Sequence, residues 1–147
     1  MTSVALGDGF HPVKRVPLRQ RITLCVEIFF AYLNARRSVK RDGLTRTLSE
    51  LRSSTVNPET GLTRAENRYV AYRMGRVVEK VLRAVPDARC LTRSVVLVGL
   101  LEKRGLPSSL VIGVARTPEF AAHAWVEYDG IPVLPSLEPK YSRLTEL

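Results

Sequence analysis

The chain has 147 residues, 45% hydrophobic and 25% charged, which is the profile of an ordinary globular domain with one core. Two cysteines, Cys25 and Cys90, are too few to staple a disulfide miniprotein. The longest strongly apolar run, residues 94–101, falls far short of the roughly 20 residues a membrane span requires. Residues 1–13 have neither the basic start nor the apolar stretch of a secretory signal. These features argue against a secreted scaffold and a membrane protein, and the expected setting is a reducing cytoplasm with both thiols free.

The formal net charge is +9, and it is unevenly placed. Residues 1–89 hold 17 basic against 8 acidic side chains, while residues 90–147 hold 6 of each. The excess is nearly all arginine, which favours bidentate recognition of carboxylate or phosphate. It reads either as the solvated faces of amphipathic helices or as a surface for an acidic partner. No basic-aromatic motif of a nucleic-acid module accompanies it, which ranks nucleic-acid binding last.

Along the chain, Gly7, Gly9, Pro12 and Pro17 punctuate an irregular lead-in. From Leu18 to Val39, the residues Ile22, Cys25, Val26, Phe29, Phe30 and Leu33 recur at steps of three and four, predicting a helix with this stripe buried and Cys25 as a core thiol. Leu44, Leu48 and Leu51 mark a short second helix, and residues 53–61 a loop. Thr63 and Glu66 fit a capping box that opens a third helix, whose stripe runs from Val70 through Met74, Val77, Val78, Val81 and Leu82 to Val85. After Pro86, the segment starting at Cys90 is apolar almost all round as far as Glu102, so it should be a helix buried at the centre, ended by Gly105 and Pro107. Residues 110–115 and 121–128 then read as strands. Asp129-Gly130 is a hairpin turn, and residues 131–134 form a return strand whose prolines place it at an edge. The predicted class is α+β in a single domain: a helical part over residues 18–85, then a core over residues 86–147 with the central helix packed on a small antiparallel sheet.

The chemistry concentrates in that second part. Cys90 opens the central helix, where the macrodipole and free amides favour a thiolate. His123 arrives 33 residues later on a strand, and an imidazole beside a thiol can take its proton and return it to a leaving amine. The amide of Cys90 or a neighbouring one could hold the oxyanion. This order of elements is that of the transglutaminase-like and papain-like core.

The stretches Cys90-Leu91-Thr92-Arg93-Ser94, Ile112-Gly113-Val114 and His123-Ala124-Trp125-Val126-Glu127 resemble the leader peptidase of lasso-peptide biosynthesis, the protease part of the B protein. The resemblance is strongest from Asp87 to Gly130. It implies a cysteine peptidase that cuts the leader from a ribosomally made precursor, with Cys90 and His123 catalytic. It also implies a small winged-helix leader-recognition protein supplied in trans, since the chain shows no room for that module. A separate asparagine-synthetase-like cyclase would act on the product. Neither metal nor cofactor enters this reading.

The family pattern also carries a carboxylate, usually Asp, about a dozen positions after the histidine, where it orients the imidazole. Pro135 stands there in this chain, followed by Ser136, Leu137 and Glu138. Three candidates remain open for the third role: Glu138 through a bulge, Ser136, or a backbone carbonyl. Glu127 lies four residues from His123 on the same strand, about 13 Å away, and is a poor orienter. Trp125 reads as a wall of the substrate groove or as core. Arg93, one turn beyond Cys90, reads as holding a buried carboxylate or the peptide backbone, or as a solvated charge. The missing carboxylate also motivates a rival from another class, a non-catalytic scaffold that holds leader and cyclase together.

Overall fold

A computed structural model describes residues 17–54, 61–116, 119–134 and 141–147. Among these residues four helices come first: α1 (Leu18–Asp42), α2 (Leu44–Ser53), α3 (Arg64–Leu82) and α4 (Cys90–Glu102). Four strands follow: β1 (Ser109–Ala115), β2 (Ala121–Tyr128), β3 (Ile131–Pro132) and β4 (Ser142–Glu146). The strands form one antiparallel sheet in the order β3-β2-β1-β4. Four helices packed on a small antiparallel sheet is the α+β architecture that the chain predicts.

Local chemistry explains the boundaries. Gly43, at φ +82°, ends α1 and starts α2, and its N–H donates to the Val39 carbonyl at 3.1 Å. The capping box of α3 is complete: the Glu66 amide donates to Thr63 Oγ1 at 3.3 Å, and the Thr63 amide donates to Glu66 Oε2 at 2.8 Å. Helix α4 is the centre, with every residue from Ser94 to Glu102 buried. Its core partners include Ile28 and Tyr32 of α1, Leu48 of α2, Val78 and Leu82 of α3, and Leu110 and Val126 of the sheet. Leu110 and Val126 pair directly in the β1–β2 register, so this face of the sheet meets the helices. The alternate residues Val111, Gly113, His123, Trp125 and Glu127 belong to the other face.

Two expectations need correction. The stripe of Ile22, Cys25, Val26, Phe29 and Phe30 is exposed, and so is Cys25. Helix α1 buries Ile28, Tyr32 and Ala35 instead, with Leu24, Ala31 and Leu33 packed beside them. The helix carries two apolar stripes, each at helical spacing, and periodicity alone cannot say which one meets the core. The return strand is also shorter than expected, because Pro132 has no N–H to extend the ladder. Val133 and Leu134 leave the strand, and both their amides donate to the Val126 carbonyl, at 2.9 and 3.5 Å. The edge position holds. Strand β4, which pairs with β1, has no counterpart in the expected elements.

The β2–β3 turn is tied to α3. Asp129, at φ 54°, precedes Gly130, at φ 72°, as in a type I′ turn. Its carboxylate accepts from Nε of Arg64 at 2.7 Å and Nε of Arg68 at 2.6 Å. The hydrogen bonds from Arg64, then Arg68, hold its pKa down at about 2. A depressed carboxylate adds stability above its ordinary pKa, and that stability is lost as pH falls through the folded value. Asp129→Asn, which tolerates the positive φ, should therefore lower the melting temperature at pH 7, and the gap to wild type should narrow between pH 4 and pH 2. An unchanged gap across that range would show that the pair contributes nothing through charge.

Candidate active site

Cys90 stands at the head of α4, where Arg89 is the N-cap residue. The loop before it is fixed by short backbone bonds, Ala88 N–H to the Val85 carbonyl at 3.1 Å and Arg89 N–H to the Asp87 carbonyl at 2.9 Å. Among the described residues no side chain caps the helix, and its first turn holds no acid. The positive end of the macrodipole and the uncapped amides are thus available at the thiol.

Strand β2 brings His123 to that sulfur. The Cys90 thiol, half-buried, is lowered to a pKa of about 7, first by its hydrogen bond with the His123 imidazole. Burial opposes the shift, and hydrogen bonding to the Ala124 and Leu91 backbone and the charge of His123 assist it. A thiol near pKa 7 is about half thiolate at neutral pH. This pair is where a nucleophile and its base would have to meet.

The imidazole is framed by aromatic rings. Trp125 stacks at a centroid distance of 6.2 Å and 19° between planes, and Tyr141 lies tilted at 5.2 Å. Trp125 is itself anchored: its Nε1 donates to Glu127 Oε1 at 2.9 Å, and Arg143 Nη2 donates to both Glu127 oxygens at 2.6 Å. Gly113, opposite His123 in the register, makes room for the indole, since a Cβ there would come within 2.7 Å of the ring. Glu127 therefore does not orient the histidine. It fixes the tryptophan beside it. Neither Arg143 nor Tyr141 carries a local signal, because the exposed β4 has no apolar alternation to mark it as a strand.

Of the remaining candidates, Arg93 is half-buried one turn past Cys90, and neither its buried Nε nor the buried Ser94 Oγ beside it has a hydrogen-bond partner among the described residues. Nε2 of His123 is buried with no partner among the described residues. Ser136 and Glu138, the candidates for a third role, lie outside the described residues. Among the described residues, no group of His, Cys, Asp or Glu could hold a metal ion, and no helix is long and apolar enough to cross a membrane.

These features define an α+β protein with a cysteine–histidine pair at the junction of a buried helix and an antiparallel sheet. The sequence pattern of the transglutaminase-like superfamily matches residues 29–147, and the chain belongs to that superfamily. Neither the curated proteins nor the solved structures offer a significant match.

Proposed function

We propose that the protein is a cysteine peptidase that removes the leader from a lasso-peptide precursor. The observation that carries the catalytic part is the Cys90 thiol held near pKa 7 beside His123 on a transglutaminase-like core. The lasso part rests on the resemblance of the segments around Cys90, Gly113 and His123. In this reading, the Cys90 sulfur attacks the scissile carbonyl as His123 takes its proton, and uncapped amides at the start of α4 receive the oxyanion. The C–N bond then breaks, and His123 returns the proton to the leaving amine. A water activated by His123 hydrolyses the thioester and restores the thiol. Arg93 would contact the peptide, while Trp125, buried beside the imidazole, backs it from the sheet. Nε2 of His123 is the atom left for a third group, Glu138 or Ser136. The recognition protein acts in trans, and the cyclase takes the freed amine.

The test mixes the protein with the precursor and recognition protein and follows product masses. Cys90→Ala should release no leader, and Cys25→Ala should behave as wild type. Release by Cys90→Ala together with loss in Cys25→Ala would overturn the assignment.

A further inference from the structure

Among the described residues, the longest helix has an apolar face without a partner. Leu18, Ile22, Val26, Phe29 and Phe30 of α1 are 47–70% exposed, with Cys25 exposed among them. Isolated apolar residues are common on surfaces, but a contiguous stripe over three turns marks an interaction site. At 100° per residue, Leu18, Ile22, Cys25 and Phe29 share a face with Arg36 and Lys40 further along. The face is therefore apolar over its first half and cationic over its second.

The charges around it are largely unanswered. Helix α1 has no acid in its first turn. Glu27 is engaged by Arg104 at 2.9 Å, and Asp42 by Arg41 at 2.9 Å. Among the described residues, Arg19, Arg21, Arg37 and Lys40 have no ion-pair partner. Arg36 pairs with Asp87 at 3.2 Å, at the surface, three residues ahead of Cys90. The cationic end of the stripe thus lies against the loop that delivers the thiol.

We propose that this face of α1 docks an acidic amphipathic segment of a partner protein, its apolar side on Leu18–Phe30 and its carboxylates on Arg36, Arg37 and Lys40. Complementarity of charge selects that occupant over two others. A second copy packed parallel would set Arg36 and Lys40 against their own equivalents, and packed antiparallel would set each apolar half against the other's basic half. A bilayer surface suits a helix that is apolar on one side and basic on the other along its whole length, whereas this face changes from apolar to basic along its axis. Helix-in-groove partners supply apolar anchors at i, i+3, i+4 and i+7, which the spacing of α1 matches. Docking there would bring the partner's acidic end beside Asp87 and the entrance to Cys90. That consequence rests on the proposed peptidase activity, while the docking itself does not.

Cys25 makes the test direct, because it sits inside the stripe and is open to maleimide. A random 20-residue peptide library displayed on phage is selected on the wild-type protein, and the enriched peptide is titrated while labelling of Cys25 and Cys90 is read separately by peptide mass. The expected result is convergence on apolar residues at helical spacing with Asp or Glu at one end, and labelling of Cys25 slowed at least tenfold. Phe29→Ser/Phe30→Ser and Arg36→Glu/Lys40→Glu, all at surface positions, should each remove the protection. Failure to enrich, enrichment of basic sequences, or protection that survives both double variants would overturn the proposal. So would protection by phosphatidylglycerol vesicles alone, which identifies a membrane surface, or protection that rises with protein concentration alone, which identifies a second copy. None of these outcomes alters the product masses of Cys90→Ala, so the two readings fail separately.

Discussion

Replacing His123 with alanine should move the half-reactive pH of Cys90 from about 7 up toward the ordinary 9.0, because the imidazole is the largest cause of the shift and burial, which opposes it, remains. At pH 7 the thiolate fraction would fall from about one half to about 1%, roughly 50-fold. The rate of alkylation falls less. A more basic thiolate is intrinsically more nucleophilic, with a Brønsted slope of about 0.4–0.5, so two units of pKa return about eightfold. The net expectation is iodoacetamide labelling about sixfold slower at pH 7 and faster than wild type above about pH 8. That crossover is the diagnostic feature, since a merely loosened fold would speed labelling at every pH. Cys25, exposed on α1, supplies an internal reference whose profile should not change. Superimposable pH profiles for Cys90 in the two proteins would remove the imidazole from the chemistry and favour the scaffold reading. The proposed peptidase activity should be lost in His123→Ala at every pH, because the variant cannot protonate the leaving amine.

The sequence shows some of this arrangement plainly and some not at all. The capping box at Thr63 and Glu66, the all-round apolar segment after Cys90 and the Asp129-Gly130 turn are local signals whose physics acts within a few residues, and each appears in the structure where expected. Element order and the family resemblance together pair Cys90 with His123, and strand β2 brings the two side chains into contact. The failures are tertiary. Helix α1 has two apolar stripes, and only packing against α4 decides that Ile28 and Tyr32 go inside while Phe29 and Phe30 do not. Strand β4 is exposed along its whole length and carries no apolar alternation, so nothing in its composition distinguishes it from a loop. Strand spacing speaks only to the reach of Glu127 toward His123. Its real partner, Arg143, sits on that unforeseen strand.

Gly75→Ala tests whether α3 holds the sheet in place beside the site. Gly75 is buried in α3, and a Cβ there would fall 1.9 Å from the Val133 carbonyl oxygen and 2.8 Å from its carbon. Backbone, unlike a side chain, has no rotamer into which it can retreat. The segment is also held from the other side, because the Val133 and Leu134 amides donate to Val126 of β2. The added methyl must therefore either part α3 from this segment or press on β2, three residues from His123. Overpacking of this kind costs about 3 kcal/mol, and the better helix propensity of alanine returns about 1 kcal/mol. A net loss of about 2 kcal/mol should lower the urea midpoint by about 1 M. Gly99→Ala is the matched control: its Cβ would meet only the Leu51 side chain, at 3.2 Å, which can rotate away. That variant should stay within about 1 kcal/mol of wild type, helix propensity offsetting the contact. Equal midpoints for Gly75→Ala and Gly99→Ala would mean that the approach of Val133 to α3 does not constrain the fold, and that β2 takes its position from α4 alone.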